Sequence, residues 1–223
     1  MDDVFFMKRA LRLARKAEGH TSPNPLVGAI IVKDDTIIAE GYHKKAGLPH
    51  AEAEAIQKAT KSLEGSTLYV TLEPCCHTDK RTPPCTSAII SSKIKRVVVA
   101  MIDPNPKVSG KGIKILQEAG ITTNVGVLEE PARRLNEFYI KFIRTRVPFV
   151  ILKTAMTLDG KIATPEGESK WITSEKSRDL VHRYRGRVDA LLSAIGTVQA
   201  DNPRFTTRIR GKKDPVRIII DPD

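Results

Sequence analysis

His50, Cys75 and Cys85 are the residues of this chain whose types and spacing could do chemistry together. An imidazole and two thiolates suit Zn²⁺, which takes mixed nitrogen and sulfur donors without redox chemistry. Three protein ligands leave one tetrahedral position open, the arrangement of a site that activates water, whereas a structural site closes all four. Glu52, two residues after His50, supplies a carboxylate that need not bind the ion and can move a proton. Residues two apart on an α-helix point to nearly opposite sides. His50, following Pro49, must therefore cap the helix with non-helical dihedrals if Glu52 is to reach the same site from the first turn. A carboxylate there could serve only to stabilise a helix N-terminus; the cysteine pair weighs for catalysis. Cys75 follows Pro74 at an expected helix start, where free amides favour thiolate. Cys76 faces another way and is assigned to the core or to support of the ligands.

The elements that must position these groups read as follows. Residues 4–17 have the period of an amphipathic helix that Gly19 stops. Thr21-Ser22-Pro23-Asn24-Pro25 is a structured loop. Val27–Val32 and Ile37–Gly41 form a hairpin about Lys33–Thr36. A helix over 50–61, a strand at 67–72, a helix after Cys85, a strand at 96–101, a helix at 110–119, a strand at 122–127 and a helix at 130–143 follow. Strands alternating with helices predict an α/β layer architecture with a largely parallel sheet. The pattern restarts after Val147-Pro148 with a strand at 149–154, a helix at 174–185 and strands at 188–193 and 215–220. The domain boundary is therefore placed near residue 146, giving domains 1–145 and 146–223.

A chain of 223 residues buries a core without covalent staples, so zinc is expected to serve chemistry more than folding. Three cysteines, an odd number with two in a metal-like pattern, argue for reduced thiols in the cytosol. No apolar run reaches membrane-span length, and the acidic N-terminus does not read as a secretory signal. The expectation is a soluble cytoplasmic protein. A net charge of +11 raises polyanions as partners, but aromatic residues are only 5% of the chain, poor material for base stacking. Solvated basic faces, or sites for a small phosphorylated ligand, account for the charge, and no nucleic-acid partner is expected. Homo-oligomerisation is left open.

The segments HAE at 50–52, TLEPC at 71–75 and TPPC at 82–85 resemble the zinc deaminases of the cytidine deaminase superfamily. The late second cysteine, His77, TSPNPLVG at 21–28 and Gly41-Tyr42-His43 resemble more narrowly the deaminase half of the bifunctional deaminase/reductases of riboflavin biosynthesis. This resemblance implies a three-layer cytidine-deaminase-like α/β domain. It also implies zinc on His50, Cys75 and Cys85, proton transfer by Glu52, and Asn24, His43, His77 and Arg81 holding the ring and ribose phosphate of the substrate. That substrate would be 2,5-diamino-6-(5-phosphoribosylamino)pyrimidin-4(3H)-one, which loses ammonia by hydrolysis. The stretch Cys76–Arg81 is one residue longer than the family's usual loop.

Residues 153–163 (KTAMTLDGKIA) and 169–173 (SKWIT) resemble the reductase half of the same family, a dihydrofolate-reductase-like α/β domain using NADPH. The resemblance implies Ala155, Trp171, Thr197 and Asp201 as nucleotide contacts, and Ser169, Arg185, Phe205 and Arg208 as substrate contacts. Phe205 stands where the family commonly has leucine, and Pro222 replaces a polar residue. The family's glycine-rich cofactor loop has no counterpart after residue 220. The reductase domain is thus expected to be partial, and the 223-residue chain to deaminate without reducing. Two other readings compete: a tRNA adenosine deaminase of the same superfamily, for which the close Cys-x-x-Cys spacing is missing, and a non-enzymatic zinc-stabilised nucleotide-binding module.

Overall fold

Two aspartates with left-handed backbones, Asp34 (φ 48°) and Asp35 (φ 56°), turn the chain between β1 (Gly28–Lys33) and β2 (Thr36–Tyr42). A two-residue turn of that hand matches the twist of an antiparallel hairpin, and aspartate tolerates it better than most residues. The computed structural model describes residues 2–77 and 83–222. These divide into two units, Met1–Phe149 and Val150–Asp223.

In the first unit β1 pairs antiparallel with both β2 and β3 (Thr67–Val70). Parallel pairs then join β3 to β4 (Arg96–Val99) and β4 to β5 (Thr122–Val125). The order is β2-β1-β3-β4-β5. The sheet is mixed, where strand–helix alternation predicts a largely parallel one, because the hairpin carries β1 into the interior between β2 and β3. Gly28 to Val32 are all buried, as expected of a strand covered on both faces.

Helices supply the two covers. α1 (Asp3–Arg15), capped by the Asp2 carboxylate that accepts from the Val4 N–H at 3.1 Å, packs on β1. α2 (Ala51–Lys58) packs on β2 and β1. Gly41 lies opposite Ala29 in the ladder and so shares its face, while Gly28 faces the other way. A Cβ on Gly28 would stand 2.1 Å from the Ala10 carbonyl oxygen of α1, and one on Gly41 would stand 2.3 Å from that of Ala51 in α2. The two helices are thereby fixed on opposite faces. α3 (Cys85–Ser91) and α4 (Lys111–Glu118) continue the α2 layer, and α5 (Glu129–Leu135) touches α1, completing a three-layer α/β unit.

The helix expected over 130–143 is two helices, α5 and α6 (Glu137–Thr145), separated by Asn136 at φ −111°. Asn136 is buried, and its side chain takes both backbone groups of Leu26: Oδ1 accepts from the Leu26 N–H at 2.8 Å and Nδ2 donates to the Leu26 carbonyl at 3.0 Å. That clasp fixes the end of the loop containing Asn24.

The second unit contains α7 (Glu175–Arg185), β6 (Ala190–Ala194), α8 (Ile195–Asp201) and β7 (Val216–Ile220), with β6 and β7 parallel. α8 has no counterpart among the expected elements; Gly196, Thr197 and Val198 are weak helix formers. The expected strand at 149–154 is also absent. Those residues lie outside both sheets, and Val150 and Leu152 are 77% and 87% exposed. An apolar run becomes a strand only where a neighbouring ladder accepts it. Among the described residues, no helix is long and apolar enough to cross a membrane.

Glu54 ties α2 to the end of β2. Its buried carboxylate accepts from the Tyr42 N–H at 2.8 Å and pairs with Lys44 at 2.7 Å and Lys58 at 2.8 Å. Burial alone would raise its pKa, but the two ammonium groups and the amide outweigh burial and hold it at about 2.

Two outcomes are expected from this packing. Gly41→Ala should cost about 1–3 kcal/mol in urea unfolding, since backbone atoms of α2 must retreat from the new methyl; an unchanged midpoint would show that α2 moves freely. The Glu54 contribution should be complete above its ordinary value of 4.5 and be lost as pH falls to about 2. Unfolding at stepped pH should therefore show a steeper acid decline in the wild type than in Glu54→Gln, and equal slopes would remove the carboxylate from this role.

Candidate metal centre

His50 caps α2 with extended dihedrals, φ −69° and ψ 162°. Its ring thus leaves the chain before the helix begins, and Glu52, the second helical residue, enters the same region from the first turn. Cys75 stands in the segment after β3, and Cys85 is the first residue of α3 with Pro84 as its cap. Cys85, rather than Cys75, occupies the helix start. The helix amide effect still reaches Cys75 from across the site: the Cys85 N–H donates to Cys75 Sγ at 3.5 Å, and the Thr86 N–H donates to the Cys75 carbonyl at 3.2 Å.

His50 Nδ1 lies 3.5 Å from Cys75 Sγ and 3.3 Å from Cys85 Sγ. All three ligand atoms lie within 4.8 Å of one another. A tetrahedral zinc ion bound about 2.3 Å from sulfur and about 2.1 Å from nitrogen places neighbouring ligand atoms about 3.5–3.8 Å apart. The donor set and its spacing therefore fit zinc. Cys76 is half-buried and stands outside the cluster.

The site's electrostatics favour ligation and proton transfer. Cys75 is held well below the usual thiol range by the hydrogen bond from Cys85 and then by His50, whose effects overcome burial. Cys85 is pushed up by the same bond to Cys75, by burial and by Glu52. The pair thus shares a proton, and binding a divalent ion through both sulfurs is coupled to its release. Glu52 is only 3% exposed. Burial raises its carboxyl above the ordinary range; His50 opposes this and the Cys75 charge adds to it.

Around this cluster, His43 is buried and its ring stands edge-on to that of His50, 5.5 Å between centroids. Its Nδ1–H donates to the Pro49 carbonyl at 3.0 Å, which leaves Nε2 to accept from Asn24 Nδ2 at 3.0 Å. His43 thus joins the Asn24 loop to the segment that delivers His50, while Asn24 itself is half-exposed. His77 is half-buried two residues beyond Cys75, and Arg81 lies outside the described residues.

In the second unit Arg185, Phe205 and Arg208 are neighbours. Arg185 donates from Nη1 to the Thr206 carbonyl at 3.2 Å, and its guanidinium stands 6.0 Å from the Phe205 ring centroid. Burial first, and then the Arg208 charge, lower its pKa. Phe205 is buried, with φ 55°, and Arg208 is exposed, with φ 57°. Ser169 and Ala155 are half-exposed, while Thr197 and Asp201 lie exposed on α8. Trp171 is 69% exposed beneath the Arg178 guanidinium, 4.3 Å from its ring centroid. Among the described residues, no hydrogen bond or ring contact joins Ala155, Trp171, Thr197 and Asp201 to one another.

Two supporting residues were hidden from sequence reasoning. Glu54 offered a partial signal, the four-residue spacing to Lys58 on one helix, but nothing marked Lys44 as a partner. Asn136 offered none, because its partner Leu26 is 110 positions away and contributes only backbone.

Comparison with known proteins bears on both units. Residues 1–101 match the cytidine and deoxycytidylate deaminase zinc-binding region, which contains His50, Glu52, Cys75 and Cys85. Residues 148–223 match the RibD C-terminal domain. The riboflavin biosynthesis protein RibD of Aquifex aeolicus (strain VF5) is 54% identical over 222 residues, 99% of this chain and 62% of that protein. RibD of Escherichia coli (strain K12) is 44% identical over 234 residues, 99% of this chain and 64% of that protein. The crystal structure of a diaminohydroxyphosphoribosylaminopyrimidine deaminase/5-amino-6-(5-phosphoribosylamino)uracil reductase from Thermotoga maritima matches with a TM-score of 0.94 and 50% identity, covering 98% of this chain and 63% of that one. The chain spans roughly three fifths of the length of these relatives. One match falls on each unit, so over nearly its whole length this chain resembles the RibD deaminase/reductase proteins.

Proposed function

We propose that the first unit hydrolytically deaminates 2,5-diamino-6-(5-phosphoribosylamino)pyrimidin-4(3H)-one, a step of riboflavin biosynthesis. The observation that carries this reading is the convergence of His50, Cys75 and Cys85 beside a buried Glu52. Zinc held by those three residues supplies activation of water for hydrolysis. Glu52 takes a proton from the water that attacks the ring carbon bearing the exocyclic amine. It returns that proton to the departing nitrogen as the carbon–nitrogen bond breaks, and the hydroxyl hydrogen left on the ring carbon passes to the adjacent ring nitrogen, giving a ring carbonyl, a ring N–H and ammonia. A carboxyl raised by burial suits both halves of this transfer, since it holds the proton between them. Asn24, His43, His77 and Arg81 are assigned to the ring and ribose phosphate, with His43 setting the Asn24 amide.

The second unit is read as the reductase part, with NADPH at Ala155, Trp171, Thr197 and Asp201 and substrate at Ser169, Arg185, Phe205 and Arg208. This assignment rests on the similarity of residues 148–223 alone. The partner throughout is a small phosphorylated pyrimidine. Three free thiols, two of them metal ligands, suit the reducing cytoplasm.

The test is ammonia release from the diaminopyrimidinone phosphate by zinc-loaded protein. Glu52→Gln should retain zinc yet lower kcat by about 10²–10⁴-fold; equal rates, or no release by the wild type, would refute the mechanism. Cys85→Ala should lose bound zinc by elemental analysis together with activity. Full zinc occupancy in that variant would remove Cys85 from the ligand set.

A further inference from the structure

Glu73 is a buried carboxylate outside the ligand set, two residues before Cys75. Oε2 accepts from the Asp103 N–H at 3.2 Å and the Gly110 N–H at 2.8 Å. Oε1 accepts from the Gly112 N–H at 2.9 Å and the Ile113 N–H at 3.3 Å. The last two amides belong to the first turn of α4, where the backbone presents unpaired donors and the positive end of the helix dipole. The Glu73 N–H donates in turn to the Met101 carbonyl at 3.0 Å. One side chain therefore fastens both ends of the 103–113 loop to the strand end that leads to the metal site. Asp103, held this way, also accepts from the Tyr139 hydroxyl at 2.9 Å.

The fastening works on the next residue as well. Gly112 lies so near Pro74 that a Cβ there would stand 2.2 Å from the Pro74 carbonyl oxygen. Glu73 draws the α4 terminus in, and the α4 backbone bears on Pro74, whose ring already fixes its own φ. Cys75 follows directly. We propose that Glu73 is a positioning residue for the metal centre: by anchoring α4 against Pro74 it sets the place of Cys75 Sγ relative to His50 and Cys85. This rests on reading those three residues as an ion site. Glu73 touches no ligand atom and acts through the backbone, as outer groups around metal ligands commonly do.

A helix anchor alone would affect stability and leave the ion site unchanged, and the experiment separates the two roles. Co²⁺ is titrated into the full chain, and its visible ligand-field absorption reports the geometry of the bound set while thermal melting reports the fold. Glu73→Gln keeps the size of the side chain but turns an NH₂ group toward backbone N–H donors. It should bind Co²⁺ about 10–100-fold more weakly, with displaced bands, while still melting cooperatively. Gly112→Ala puts a methyl against the Pro74 carbonyl and 3.2 Å from Glu73 Oε1, so it strains the same anchor without removing the carboxylate and should displace the same bands; it decides the matter alone if Glu73→Gln does not fold. Wild-type Co²⁺ affinity and spectrum in the folded variants would overturn the proposal, however far the melting temperature falls. Failure of the wild type to bind Co²⁺ would instead remove the ion site, and the role of Glu73 with it.

Discussion

The contact on which the site depends is the seating of α2 directly on β2 at Gly41, where backbone meets backbone without a side chain between them. His50 and Glu52 belong to a helix whose distance from the sheet is set there, whereas Cys75 arrives from the sheet itself through β3. Two groups on different layers can converge on one ion only if the spacing between layers is fixed to within a fraction of an ångström. A glycine against a helix backbone gives that fixity because close-packed backbone has no rotamers through which to relax. Cys85, opening α3 beside α2, inherits the same spacing.

Glu52 and Glu54 show how finely this placement acts on chemistry. They stand two residues apart on one short helix, and their carboxyls are displaced in opposite directions. Glu54 faces Lys44 and Lys58 and stays ionised; Glu52 faces the thiols and the interior and retains its proton more readily. Neighbouring carboxyls with divergent acidity are a recurring basis for dividing structural from proton-transferring roles. Here the helical rotation between the two residues supplies the division.

Much of the ligand geometry was legible in the sequence because the chemistry over-determined it. If His50 and Glu52 are to serve one site, helical geometry leaves the cap as the place for His50, and its extended dihedrals meet that requirement. The turn at Asp34-Asp35 and the apolar runs of β3 and β4 carried local signals of equal clarity. Three features lacked such signals. The antiparallel insertion of β1 depends on which edge the hairpin joins, and the break at Asn136 depends on a distant backbone. The run at 149–154 has strand-like composition but lies outside both sheets. Periodicity records what a segment can bury, and its partners are settled only by the rest of the fold. Glu54 and Asn136 escaped notice for the same reason, since each acts mainly on residues brought near by topology.

The Asn136–Leu26 clasp imposes an order of assembly. A hydrogen-bonded pair 110 positions apart cannot close until the later residue has been synthesised. At ordinary translation speed that interval is on the order of 10 s. The hairpin, α2 and all three metal ligands precede Asn136 in the chain, so the metal-binding residues are available while the loop bearing Asn24 still lacks its fastening. The loop bearing Asn24 is thus secured only after the ligand residues have been made, and its rigidity depends on a stretch of chain that contributes no residue to the ion cluster.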